Sequence, residues 1–286
     1  MELQPAPVSQ LKFSSCAKVI SGYSFLYSIS EFDVDEPLQL VFPTYGFLIL
    51  NFYTGENFWY NFKNYDFPKS QAYHLYIGGL FSQTTPIFEA RGQGRGHAMK
   101  IHPVIGYHLF KAPMDQLTNH QHPISQLLGK AGKCLSTLEE DRQINILGNN
   151  YLEHLLLKSL PDRILIMNDP IYHAVNTIIN RKGMIRIKEL ADQYCMSERT
   201  LNRQFIMKVG ISPKVYAKMW QWQHVTELLQ KCPEIKIEDL AFKTGYYDSA
   251  HLVHDFKEKT LQTPYEFKKS INPLIQDYLN FPQSLE

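Results

Sequence analysis

Between Ile187 and Lys269 apolar positions recur at helical spacing, and the whole pattern is spelled twice. The run ELADQYCMSERTLNRQF from Glu189 and the run DLAFKTGYYDSAHLVHDF from Asp239 set Ile187 against Ile237, Leu190 against Leu240 and Ala191 against Ala241, fifty positions apart. Past the turn the match continues as Leu201 with Leu252, Phe205 with Phe256, Ser212 with Thr263 and Pro213 with Pro264, at an offset of 51. One extra residue therefore sits in the second turn, GYYD. Each copy predicts a short helix burying residues such as Ile187, Leu190, Ala191 and Tyr194, a tight turn, and a second helix capped by Ser197 or Asp248. Between the copies, SPKVYAKMWQWQHVTELLQK predicts one rigid helix, with Ser212 as cap and Pro213 at the first helical position.

Upstream the texture differs. QLVFPTYGFLILNFYTGENFWYNF from Gln39, AYHLYIGGLF from Ala72 and HAMKIHPVIGYHLF from His97 read as short aromatic and β-branched strands separated by turns, which predicts a small barrel or sandwich. GQGRGH from Gly92 reads as a hairpin. LSTLEEDRQINILGNNYLEHLLLKSL from Leu135 returns to a helical stripe, and Pro161 punctuates the chain. Asp169 and Pro170 then start a helix with the stripe Ile171, Ala174, Val175, Ile178 and Ile179 and a stop at Gly183. The expected organisation is α+β: a β-rich domain over 1–162 with helices at its end, and an all-α domain over 163–286 whose repeated units span about 187–208 and 237–259.

A chain of 286 residues is long enough for two such cores. Its net charge of +1 hides an asymmetry, because residues 163–269 carry 17 Lys and Arg against 12 Asp and Glu. A mildly basic helical segment attached to an acidic remainder suits a nucleic-acid module. The four cysteines, Cys16, Cys134, Cys195 and Cys232, form no CxxC or CxH spacing, so neither a zinc site nor a disulfide framework is expected. The histidines His74, His97, His102, His108, His120 and His122 lack metal-ligand spacing, so no metal, cofactor or catalytic residue is predicted. The start MELQPAPVSQLKF lacks a basic region before an apolar core, and no apolar run approaches membrane length, so a cytoplasmic location is expected.

In each copy, the second helix leaves one face outward. Glu198, Arg199, Asn202, Arg203 and Ile206 form that face in the first copy, and Ser249, Ala250, Val253, His254 and Lys257 in the second. Arginine and asparagine suit bidentate contact with guanine and adenine edges, and a helix fits the major groove. These ten residues are the predicted DNA-binding set, with Lys214, Lys218 and Lys257 as candidate phosphate contacts. Two such helices on one connecting helix would read double-stranded DNA about one turn, or ~34 Å, apart.

On these residues the run from Ile187 to Lys269, with SERTLNRQF, VGISPKVY, DLAFKTGY and FKEKTLQTPYEFKK, resembles the double helix-turn-helix domain of AraC/XylS-type transcription regulators. It departs from the family pattern at Ala250, Val253 and His254, where serine, serine and arginine are usual, at Leu261, where glycine is usual, and near Gln221, where arginine is usual. Residues from about Pro43 to Leu160 resemble, more loosely, the β-rich cupin-like N-terminal domains of some bacterial members. The resemblance implies a non-enzymatic regulator with an effector or a homodimer interface in the N-terminal domain, and RNA polymerase as a further partner. Two alternatives stay open: a regulator governed by a partner protein, and a cupin-like ligand- or metal-dependent enzyme carrying a DNA-binding tail.

Overall fold

The structure is a computed structural model that describes residues 11–20, 23–41, 46–55, 59–62, 70–71, 75–83, 85–124 and 162–270. The helical stripe expected from Leu135 lies outside the described residues. The N-terminal part is one antiparallel sheet of strands β1 (Leu11–Ile20), β2 (Tyr23–Val41), β3 (Leu48–Thr54), β4 (Trp59–Phe62), β5 (Ser70–Gln71), β6 (Leu75–Gly78), β7 (Ile87–Ile101) and β8 (Gln121–Pro123). The order is β1-β2-β7-β3-β6-β8, and β4 branches off β7 to carry β5. The long strand β7 organises the sheet: β2 pairs along one edge, while β3 and β4 share the other.

Period-two alternation assigns β3 to two cores at once. Leu48, Leu50 and Phe52 pack with Leu75, Ile77, Met99 and Ile101 beneath helix α1 (Pro103–Phe110), whose Ile105, Leu109 and Phe110 close that layer. Phe47 and Tyr53 instead join Phe81, Phe88 and Ala90 in a second cluster, which runs on without a break into the helical region.

Two stretches of the sheet depart from the expected strands. GQGRGH is no hairpin but the middle of β7, where pairing with β2 along the whole stretch, joined by β3 from Arg95 onward, overrides the turn preference of glycine. Gly96 is required there by close approach, since a Cβ would fall 2.5 Å from Ser30 Oγ and from Tyr53. Likewise the strand reading of HAMKIHPVIGYHLF holds only to Ile101. Pro103 stands at the first helical position and His102 Nδ1 accepts the Val104 N–H at 3.2 Å, so the chain turns into α1.

The described residues of the C-terminal part form helices α2 (Arg163–Met167), α3 (Pro170–Asn180), α4 (Ile187–Gln193), α5 (Glu198–Val209), α6 (Pro213–Lys231), α7 (Ile237–Lys243), α8 (Ser249–Thr260) and α9 (Pro264–Ser270) and no strand. Asp169 caps α3 through the Ile171 N–H at 2.9 Å, and Ile171, Ala174, Val175, Ile178 and Ile179 are its buried stripe. Among the described residues, no helix is long and apolar enough to cross a membrane.

Candidate nucleic-acid interface

The first unit is built from α4 and α5. Leu190 and Ala191 of α4 and Leu201, Phe205 and Val209 of α5 are buried, and Ile187 and Tyr194 pack partly buried against them. The turn closes because Cys195 adopts a left-handed φ of 53°, and Ser197 Oγ then accepts the Thr200 N–H at 3.1 Å to start α5. In the second unit Leu240, Ala241, Leu252 and Phe256 occupy the matching places, Gly245 takes the left-handed position, and Asp248 caps α8 through the His251 N–H at 2.7 Å.

Helix α6 divides itself between the two units. Tyr216, Ala217, Met219 and Trp220 belong to the cluster holding the first unit, whereas Trp222, Val225 and Leu229 pack with the second. Its start is the expected one: Ser212 Oγ accepts the Val215 N–H at 3.3 Å and Pro213 follows. At 19 residues the helix is roughly 28 Å long, comparable to the ~34 Å of one DNA turn.

Burying those apolar stripes turns the remaining residues outward. On α5, Glu198, Arg199, Asn202 and Arg203 are exposed and Ile206 is 38 % exposed. Arg199, Thr200, Asn202, Arg203 and Ile206 line one groove of about 410 Å³. Among the described residues the side chains of Arg199, Asn202 and Arg203 make no hydrogen bond or ion pair, which leaves their donors available to a ligand. Thr200 was absent from the predicted face. Its place three residues after the Ser197 cap, and its 2.9 Å hydroxyl contact with Ser197 Oγ, mark it as part of the same rim.

On α8, Ala250, His254 and Lys257 are exposed while Ser249 and Val253 are half-buried, so the second face is less protruding and less charged than the first. Of the candidate phosphate contacts, Lys214 is exposed, but Lys218 is engaged inside the protein. Its ammonium lies 3.3 Å from Asp255 Oδ2 and 4.5 Å from the centre of the Tyr246 ring. Burial and the Asp255 carboxylate together push the Tyr246 phenol well above its ordinary value, so it stays a hydrogen-bond donor. Cys195 and Cys232 are both exposed thiols. Among the described residues no group of three or more His, Cys, Asp or Glu is placed to hold a metal.

Comparison with known proteins bears on the same region. Residues 190–270 match a family described as "Helix-turn-helix domain". The HTH-type transcriptional activator RhaS of Escherichia coli O1:K1 is 29 % identical over 87 residues, which is 30 % of this chain and 31 % of that protein. RhaS of Klebsiella pneumoniae strain 342 is 28 % identical over 89 residues, 31 % of this chain and 32 % of that one. The matched stretch thus spans about a third of the length of these relatives. Among solved structures, apo ToxT from Vibrio cholerae aligns over 86 % of this chain and 97 % of its own at 11 % identity, with a TM-score of 0.45. The DNA-binding domain of AdpA in complex with a target DNA aligns over 36 % of this chain and 93 % of its own at 19 % identity, with a TM-score of 0.34. The paired units, their shared connecting helix and the matched residues identify the C-terminal part of this chain as a double helix-turn-helix domain of the AraC/XylS type.

Proposed function

We infer that this protein is a sequence-specific transcription regulator that reads two adjacent major-groove segments of double-stranded DNA. One observation carries the reading: α5 presents Arg199, Asn202 and Arg203 together on a groove, their donors unused among the described residues, at one end of a helix whose other end carries a second unit of the same build. A bidentate arginine or asparagine contact discriminates a base pair by about 1 to 3 kcal/mol, so two or three on one helix suffice for a short specific block. The second face of Ala250, Val253, His254 and Lys257 offers apolar and single-point contacts, which suit thymine methyls and phosphates more than guanine edges. Its relatives' description as transcriptional activators agrees with this role.

The N-terminal part is the regulatory or dimerising half in this reading, with RNA polymerase as the further partner of the DNA-bound form. An effector there acts only by binding two arrangements of the protein unequally. The cavity of about 400 Å³ between the 81–83 segment, α6 and α8, lined by Phe81, Lys218, Met219, Trp222 and Lys259, is where such a molecule would touch both halves.

Selection of bound sequences from a random duplex pool, at stated salt, tests the reading. Two short blocks about one turn apart are expected, the one facing α5 the more restrictive. Absence of any enriched sequence would remove the reading.

A further inference from the structure

The internal repeat extends to two lysines that neither reading face uses. Lys208 and Lys259 stand 51 positions apart, at equivalent places in the last turns of α5 and α8. Both are taken up by other parts of the fold instead of facing solvent. Lys208 Nζ lies 2.7 Å from Oδ2 of Asp169, and the same oxygen is 2.9 Å from Nε2 of His108 on α1. The ammonium also stands 5.8 Å from the ring centre of Tyr107, again on α1. Lys259 Nζ donates to the carbonyls of Ser82 at 3.2 Å and Gln83 at 2.9 Å, in the segment between β6 and β7.

A backbone carbonyl at the end of each helix is held as well. The Thr85 N–H donates to Lys259 O at 3.0 Å, and Thr118 Oγ1 donates to Gly210 O at 2.9 Å. Carbonyls at a helix C-terminus have no partner within the helix and carry the negative end of its dipole, so hydroxyl and amide donors from elsewhere are the groups that can hold them. The N-terminal part therefore holds both second helices at the same end, α8 through Ser82, Gln83 and Thr85 and α5 through Thr118, while Lys208 reaches α1 by way of Asp169, the cap of α3, and by the Tyr107 ring. It does so without covering them, since Arg199, Asn202, Arg203, Ala250, His254 and Lys257 remain exposed in this docked arrangement.

We propose that Thr118 and Lys259 are positioning residues of a two-point clamp, braced at its first point by Lys208 through Asp169, by which the N-terminal part fixes the separation and mutual rotation of α5 and α8. The clamp thereby selects the spacing between the two DNA blocks. The proposal rests on the reading of α5 and α8 as base readers. A single connecting helix leaves bending and twisting free, whereas a second connection through the sheet closes a loop and removes those freedoms. Adding one base pair between the blocks shifts the second by about 3.4 Å and rotates it by roughly a tenth of a turn, so spacing tolerance reports how rigidly the two helices are held.

The test uses the full chain and a set of duplexes carrying the two selected blocks at the preferred spacing and at one base pair more or less. Charge-assisted contacts of this kind are each worth roughly tenfold in an equilibrium constant, so wild type is expected to lose about tenfold at the wrong spacings and Lys259→Met only about threefold or less. Lys259→Arg, which keeps donors for both carbonyls, retains the wild-type profile. Thr118→Val, which removes the donor to Gly210 O in the first unit, flattens the profile independently should Lys259→Met not fold. Uniform loss at every spacing for both variants, with the salt slope of Lys259→Met reduced by about one, would make Lys259 an ordinary phosphate contact and overturn the clamp. Amide exchange without DNA separates this failure from failure of the DNA reading. The Thr85 amide must exchange faster in Lys259→Met than in wild type, and an unchanged rate defeats the clamp even if DNA binding is specific. Faster exchange in a protein that selects no sequence would refute DNA spacing as the clamp's purpose.

Discussion

His102 sits at the junction of β7 and α1, fully buried, with Nδ1 committed to the Val104 N–H. Burial drives its pKa from 6.5 down to about 3, and the nearby Asp169 charge, which acts in the opposite direction, does not offset that. Between those values the unfolded chain takes up a proton that the folded chain refuses. Its contribution to stability is therefore complete above pH 6.5 and is lost as pH falls toward 3, at up to about 1.4 kcal/mol per unit. Asparagine keeps an acceptor for the cap but does not titrate, so urea unfolding of His102→Asn between pH 4 and 6.5 should depend on pH by about one proton less than wild type. An unchanged slope would rule out His102 as the source. The repeat offers a second test among single residues. The left-handed positions come in equivalent pairs, Cys195 with Gly245 and Gly210 with Leu261, and each pair contains one glycine. A side chain there costs about 1 to 2 kcal/mol against a glycine entropy penalty of about 0.5 to 1. Cys195 is exposed and Leu261 is 65 % exposed, so little packing is lost on truncation. Cys195→Gly and Leu261→Gly should each raise stability by up to about 1 kcal/mol and add in the double variant, measured as a shift of the urea midpoint.

At the scale of elements, α5 and α8 have one framework and different faces. Leu201 and Phe205 in one, Leu252 and Phe256 in the other, set the same helix against the same kind of turn, which leaves the outward residues free to diverge. Arg203→Ala should weaken binding to the selected sequence by about 1 to 3 kcal/mol and relax preference at one base position, while binding to scrambled DNA changes little. Equal loss on both duplexes would reduce Arg203 to a phosphate contact. The caps and stripes of these helices were readable in the sequence because each is a local device: Asp169, Ser197, Ser212 and Asp248 bond a backbone N–H within three residues, and the apolar positions follow the helical period. α1 was not readable, because its Pro103, Val104, Ile105, Gly106, Leu109 and Phe110 are all buried and no polar face remains to reveal a period. The glycines of β7 misled for the opposite reason, since their local preference for turns yields to pairing with strands distant in sequence. The grip on α5 and α8 was equally invisible. Its partners, Ser82, Gln83, Thr85 and Thr118, are ordinary loop residues until the fold brings them to the helix ends.

Across the whole molecule, the division into a sheet half and a helical half is one of secondary structure and not of core. Phe47, Phe81 and Phe88 share a cluster with Leu201, Phe205 and Trp220, and the Phe47 and Trp220 rings meet edge to face at 5.5 Å. Tyr216, buried with its phenol pKa raised by that burial, donates to Gly46 O at 2.8 Å across 170 positions of chain. Separating the halves would uncover these aromatic faces and leave Gly46 O unpaired, which costs about 1 to 3 kcal/mol for the carbonyl alone. The halves should therefore unfold together, giving coincident urea transitions by tryptophan fluorescence and far-ultraviolet ellipticity. Gly46 gives the sharper check, because it is there that the backbone passes against the α6 rings. A Cβ at Gly46 would fall 2.4 Å from Trp220 Nε1 and 2.9 Å from the Tyr216 ring, neither of which has room to withdraw in a packed interior. Gly46→Ala is thus expected to lower stability by about 1 to 3 kcal/mol through overpacking. If the shared cluster couples the halves, both signals shift by the same amount and stay superimposed. Should the fluorescence transition move ahead of the ellipticity transition, the halves can part before either melts, and the junction is a hinge instead of a core.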